Sequence, residues 1–294
     1  MTIRRRATRG AGMALTGLVA GLLAACSGRS APPPPTASDS GRGPAATVAG
    51  SEIRTLESKA AGRTYQLEIS YPDGYGSGPA TYPVLYVLDS QWDFKLVRAI
   101  YENELYDNKV PEFLVVGITY PGDHLDYGPL RNHDLTPFAE ADVEGSGGGA
   151  AFLTFLRTEL LPYVDSHLRS DPKQRYLVGS SYGGLFTLYA MFSDPSLFHG
   201  YLAGSPVVRF ADGALESQEE EYFGRRKDLP TRLFLPYGTK DQLSGSISEF
   251  VQHLKTRNYQ GLEFADLPVE GEGHAGNRPE AFSRGLRYLF GNGD

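Results

Sequence analysis

The segment YLVGSSYGGLF, residues 176–186, limits what this chain can fold into more than any other. A short apolar run gives way to two serines flanked by glycines, and then at once to helix-forming residues. Gly179-Ser180-Ser181-Tyr182-Gly183 fits the pattern G-x-S-x-G, and strand before with helix after is the setting in which that pattern carries a nucleophile. A serine on so sharp a turn takes a strained backbone, so the residues two before and two after it need to be nearly free of side chain. Gly179 and Gly183 meet this requirement, and Gly184 allows the helix to sit closely on the strand. The turn lifts Ser181 Oγ above a sheet edge and aims a helix N-terminus at it, which makes the backbone N–H of Tyr182 a donor for a developing oxyanion. A phosphate cradle is the competing reading, but no Lys-Ser/Thr pair follows as a P-loop requires. The Gly-rich GSGGGA at 145–150 lacks one as well and is expected to be a flexible lead-in to a helix.

The surrounding sequence supplies the sheet such a turn needs. TYQLEISY (64–71) alternates like a half-buried strand, whereas PVLYVLD (83–89) and FLVVGITY (113–120) are near-continuous apolar runs, as for strands covered on both faces. AAFLTFLRTELLPYVDSHL places Phe152, Phe155, Leu156, Leu160 and Tyr163 at helical spacing ahead of the strand RYLVGS. A helix from Tyr182 to about Phe192 follows, then strands at GYLAGS and RLFLPYG (232–238), a helix near 245–257, the strand LEFADLPV and a last helix from about Pro279 to Leu289. Strand and helix alternate without a second linker. One α/β domain is expected, with a mainly parallel central sheet and helices on both faces.

A serine hydroxyl is a weak nucleophile near neutral pH, so it requires a histidine base and preferably an acid to orient it. His167 and His253 fall in helical patterns, His199 at the lip of a strand, and His124 and His133 in the long loop after FLVVGITY. His274 lies in VEGEGHAGNRPE, a Gly-rich loop directly after a strand and before the final helix, and is the candidate base. The acid is expected just past a strand on the same edge. Asp241 in LPYGTKDQ fits, with helix capping as its other possible role, and Glu249 and Asp266 are the reserves. The second oxyanion donor is expected from the turn DSQWDF after PVLYVLD: the backbone N–H of Gln91, with Ser90 next. Trp92, the only tryptophan, is a candidate aromatic wall for substrate or else a core residue. Arg131 in LRNHDLTPF is a candidate ligand for an anionic or catecholate group, or else an ion-pair partner of Asp134. No metal or cofactor is called for: the histidines offer no i, i+4 pair and there is no cysteine set.

The front of the chain reads as an export signal. Arg4, Arg5, Arg6 and Arg9 precede the apolar run AGMALTGLVAGLLAA, which ends in LLAAC, with small residues before Cys26 as in a bacterial lipobox. Residues 1–25 are expected to be a lipoprotein signal peptide, with Sec and Tat export both open, and Cys26, the only cysteine, the lipidated residue. Residues 26–50, rich in Pro, Ser and Gly, form a tether, and 51–294 the folded domain. Lipid anchoring would hold the protein on a membrane at the periplasmic or extracellular face of a bacterial envelope. Without the four leader arginines the remainder carries 24 basic against 35 acidic groups, a net of −11, which argues against a nucleic-acid partner.

YPVLYVLD, FLVVGITYP, RNHDLTPF, the long block AAFLTFLRTELLPYVDSHLRSDPKQRYLVGSSYGGLFTLYAMFSDPSLFHGYLAGSP, and EGEGHAG together resemble the Putative esterase family of α/β-hydrolases over roughly residues 52–290. That family takes in esterase D-like enzymes, feruloyl esterases, mycolyltransferases and siderophore esterases. GITYP with RNHDLTP looks closest to the siderophore-esterase branch, the enzymes of enterobactin and bacillibactin type. The resemblance implies an α/β-hydrolase fold and hydrolysis of a carboxylic ester through an acyl-serine, without a cofactor, on a small-molecule ester. Some relatives work as Ser-His dyads, which leaves the part of Asp241 open. Acyl transfer to an alcohol, as in the mycolyltransferases, and a non-catalytic binding lipoprotein are the alternatives.

Overall fold

The computed structural model describes residues 47–76 and 78–291. The expected signal peptide, Cys26 and all of the tether before Thr47 lie outside the described residues. From Thr47 onward the chain forms one compact unit.

Eight strands make a single sheet: β1 (Ser51–Ser58), β2 (Arg63–Ser70), β3 (Tyr82–Val87), β4 (Leu114–Thr119), β5 (Ser170–Ser180), β6 (Gly200–Gly204), β7 (Asp228–Gly238) and β8 (Gln260–Val269). Their spatial order is β1-β2-β4-β3-β5-β6-β7-β8. The pairs β1–β2 and β2–β4 are antiparallel and every later pair is parallel. Every residue of β3, β4 and β6 is buried, the condition their unbroken apolar runs announce. The helices are α1 (Ser90–Tyr106), α2 (Tyr127–Asp134), α3 (Gly149–Phe155), α4 (Leu161–His167), α5 (Tyr182–Ser193), α6 (Phe210–Arg225), α7 (Ser244–Arg257) and α8 (Arg278–Phe290). Two apolar cores result, one on each face of the sheet. Phe94, Val97 and Tyr101 of α1 and Phe282, Leu286 and Leu289 of α8 fill one. Residues from α3 through α7 fill the other, with Tyr65, Phe152, Phe155 and Phe186 in ring contact at its centre.

Several elements depart from the sequence-based expectation. β1 is too exposed and polar to show a strand pattern; its only fully buried residue is Ser58. DSQWDF is no free turn, because α1 starts at Ser90, directly behind the end of β3. His133, expected in a loop, lies in α2. The long helix over 149–167 contains a π-helical turn at Leu156–Leu160, closed by Leu161 N–H donating to Leu156 O. Pro162 has no N–H for the ordinary i→i−4 bond, and widening the turn before it accommodates the ring. GSGGGA is not a loose lead-in. Side chains at Gly148 and Gly149 would put a Cβ 2.3 Å from the His133 ring and 2.8 Å from Pro137, so these glycines are needed for close backbone approach. Within α6, Glu219 is wholly buried, bonded to Arg257, His253 and Tyr259. That cluster fastens α6 to α7.

Candidate active site

Going from β3 the chain lays β4 on one side and then β5 on the other, so the direction of winding reverses at β3. In open parallel sheets the crevice beyond the carboxyl ends of the strands at such a reversal is where ligands bind. The ends of β3, β5, β7 and β8 open onto that edge, and each is followed by a candidate residue: Gln91, Ser181, Asp241 and His274.

Ser181 follows β5 with φ 62° and ψ −119°, a sparsely populated region that costs on the order of 1–3 kcal/mol. The turn is held by Ser181 N–H donating to Gly204 O at 2.9 Å and Leu185 N–H donating to Ser181 O at 2.9 Å. The flanking glycines are not equally constrained. A Cβ at Gly179 would lie 2.5 Å from Gly183 O, and one at Gly184 2.7 Å from Gly204 O, whereas at Gly183 it would meet Asp89 Oδ2 at an ordinary 3.4 Å. Gly179 and Gly184 therefore carry the steric requirement. Tyr182 opens α5, and among the described residues its backbone N–H has no acceptor.

His274 Nδ1 and Asp241 Oδ2 are 2.8 Å apart. The Asp241 carboxylate is fully buried, and its other oxygen accepts the Leu243 N–H at 3.0 Å, so pairing with the imidazole and capping of the turn before α7 coexist. With Nδ1 committed to the carboxylate, Nε2 is the nitrogen left to take a proton. Pairing alone does not single out His274, because His133 pairs with Asp134 and His253 with Glu219. Those acids sit within α2 and α6; only Asp241 and His274 both follow strands on the edge that bears Ser181. The reserve acids are engaged elsewhere, Glu249 with Arg209 and Asp266 with Lys255.

Asp89 is the pivot of the turn after β3. It adopts the left-handed conformation, φ 53° and ψ 39°, and its carbonyl accepts from the N–H groups of Trp92 and Asp93. The N–H groups of Ser90 and Gln91 stay without an acceptor among the described residues, as the first donors of a helix do. The Gln91 side chain cannot swing freely: its amide oxygen accepts from Thr119 Oγ1 at 2.8 Å, and its nitrogen donates to Asp89 Oδ1 at 3.3 Å.

The ion pair expected between Arg131 and Asp134 is not formed. Arg131 donates through Nε and Nη2 to the two oxygens of Asp89, at 2.8 and 2.7 Å. Burial opposes the guanidinium charge, but the two bonds and the charge of Asp89 outweigh it, and the group is held above its ordinary range. Its Cζ lies 5.1 and 5.5 Å from the ring centroids of Trp92 and Tyr182. Asp134 is instead locked under α2 by the hydroxyls of Tyr65 and Tyr120, at 2.8 and 3.1 Å. Trp92 is no core residue: it is 46% exposed and edge-on to Tyr127. Asp89 left no signature in the sequence, being only the polar end of an apolar run.

A second buried acid lies one turn along α1. The Asp93 carboxylate accepts from Arg278 Nη1 at 3.0 Å. Burial pushes its pKa from 3.8 up to about 6, with the Arg278 charge opposing the shift and Asp89 adding to it. The folded state thus holds this proton more tightly than the unfolded chain. That contribution is complete below about pH 4 and is lost as pH rises through about 6, roughly 3 kcal/mol across the window. In urea unfolding, wild-type stability is expected to fall relative to Asp93→Asn between pH 4 and 7. A difference that stays flat across that window would contradict the assignment.

The family described as Putative esterase matches residues 58–242. The chain belongs to that family. It is 27% identical over 265 residues to the ferri-bacillibactin esterase BesA of Bacillus subtilis, covering 83% of this chain and 91% of that one. It is 30% identical over 201 residues to the siderophore enterobactin esterase of Emericella nidulans, covering 60% and 66%. The solved structure of the BES protein from Bacillus cereus superposes with a TM-score of 0.76 at 28% identity, covering 85% of this chain and 98% of that one. Family and fold together make this protein an ester hydrolase with the α/β-hydrolase fold.

Proposed function

We propose that the protein is a serine esterase that opens siderophore-type esters through an acyl-Ser181 intermediate. Ser181 Oγ attacks the ester carbonyl while His274 Nε2 takes its proton, and Asp241 stabilises the imidazolium through Nδ1. The oxyanion is held by the backbone N–H groups of Tyr182 and Gln91, with Ser90 N–H beside them. The imidazolium then protonates the departing alkoxide. Water, deprotonated by the same imidazole, attacks the acyl-enzyme, releasing the carboxylate and restoring Ser181. The His274–Asp241 contact at 2.8 Å, on the strand edge that bears a strained Ser181, is the observation that carries this reading.

The bidentate grip of Asp89 occupies one side of the Arg131 fork, so a substrate oxygen would be met by the remaining Nη1. The exposed face of Trp92 suits an aromatic ring such as a catechol. Relatives are named as a ferri-bacillibactin esterase and a siderophore enterobactin esterase, and siderophore-type esters are the substrate class proposed here. Through Cys26 the enzyme would be lipid-anchored in a bacterial cell envelope, working on the periplasmic or extracellular face. Incubation with a catecholate trilactone, followed by chromatography with mass detection, is expected to give the linear trimer and then shorter fragments, each gaining one water. Binding without cleavage would point to a capture protein instead, and products carrying an added alcohol would point to acyl transfer.

A further inference from the structure

We infer that Asn277 and Ser205 form a positioning link that sets His274 against Ser181, an inference that rests on the catalytic reading above. Asn277 is 1% exposed, deep at the start of α8. Its Nδ2 donates to Gly273 O at 2.8 Å and His274 O at 2.9 Å, and reaches Ser205 Oγ at 3.2 Å. One amide group thus holds the carbonyl of the catalytic histidine itself and the carbonyl before it, and ties both to the residue that follows β6.

Ser205 is well placed as the other end. It follows β6 in a left-handed conformation, φ 39°, is 2% exposed, and is fixed by its N–H donating to Pro236 O at 2.8 Å. The residue before it, Gly204, accepts the Ser181 N–H. Only the peptide joining residues 204 and 205 therefore separates the anchor of the nucleophile from the anchor of the base. The rest of the histidine loop is seated by close approach: a Cβ at Gly238 would fall 2.2 Å from Glu272 O, and Lys240 N–H donates to Glu272 O at 2.8 Å. Arg278, next in the chain, binds Asp93 and so fastens the start of α8 to α1. His274 is left between these fixed points, and its carbonyl is restrained by Asn277. Proton transfer depends steeply on such placement, and a displacement of about 1 Å can cost roughly 100-fold in rate.

The test combines Asn277→Ala, Ser205→Ala and the double variant, each assayed for kcat, KM, thermal midpoint and stoichiometry of fluorophosphonate labelling. Asn277→Ala is expected to lower kcat per labelled site about 30- to 100-fold with KM within about twofold, while still labelling to completion at a slower rate. Ser205→Ala should lower kcat by about three- to tenfold, and the double variant should be no slower than Asn277→Ala, since both break one link. A merely structural residue would instead lower the fraction of labelled protein and leave kcat per labelled site unchanged. That result, or effects of the two substitutions that multiply, overturns the inference. Should Asn277→Ala fail to fold, Ser205→Ala alone decides, because wild-type turnover in it removes the link. Labelling that persists in Ser181→Ala would sink the catalytic reading itself, whereas labelling confined to Ser181 with wild-type turnover in Asn277→Ala sinks only the positioning link.

Discussion

Ser181→Ala is expected to lower kcat for ester hydrolysis by about five to six orders of magnitude, leaving only the acceleration that the oxyanion donors and substrate binding supply. The size of the loss follows from chemistry that has no substitute in the site. The hydroxyl is held on a turn whose φ of 62° and ψ of −119° are fixed by Gly179, Gly184 and the Gly204 carbonyl, so no neighbouring residue can move into its place. Ser180, adjacent in sequence, is buried as the last residue of β5 and faces Gly204. Because alanine accepts the same backbone turn as serine, KM and the thermal midpoint should change little, and steady-state kinetics with a chromogenic acyl ester measures the effect. A loss below about 100-fold would mean that the acyl group is carried elsewhere.

Asp241→Asn is the second large effect, expected at about four orders of magnitude in kcat. The carboxylate accepts the hydrogen bond of His274 Nδ1 and so leaves Nε2 as the nitrogen able to act as a base. An amide there can present its own N–H to Nδ1, which favours the opposite tautomer and places a proton on Nε2, where none can then be accepted. The backbone cap is spared, since an asparagine oxygen still accepts the Leu243 N–H. The thermal midpoint should therefore move little while turnover collapses. A loss under about tenfold would make the site a Ser-His dyad with Asp241 as a structural cap, and the rate of burst acylation against that of turnover distinguishes the two.

How much of this could be read from the residues depended on how local the determinant is. Ser181 was legible because G-x-S-x-G between a buried strand and a helix imposes its geometry within five residues. His274 and Asp241 were legible because each follows a strand whose apolar run is plain, and a parallel sheet brings such ends to one edge. Asp89 and Arg131 were not, since their pairing spans 42 positions and depends on α2 being folded against the sheet by Asp134. Arg131 had a closer acid in sequence, but Asp134 was already bound by two tyrosine hydroxyls. Trp92 could be a wall or a core residue until the start of α1 was known to lie directly behind β3. Glu219 and Asn277 carry ordinary sequence contexts, and only three-dimensional burial shows that each fastens two elements together.

The central claim is that residues separated by almost a hundred positions form one reacting unit, with Ser181 as its nucleophile. Treating the wild-type protein with a fluorophosphonate and mapping the adduct by peptide mass spectrometry tests it most directly. A single adduct on Ser181, formed stoichiometrically with loss of esterase activity and slowed at least about 1,000-fold in His274→Ala, is the predicted result. An adduct on another residue, or full inhibition with Ser181 unmodified, would contradict it.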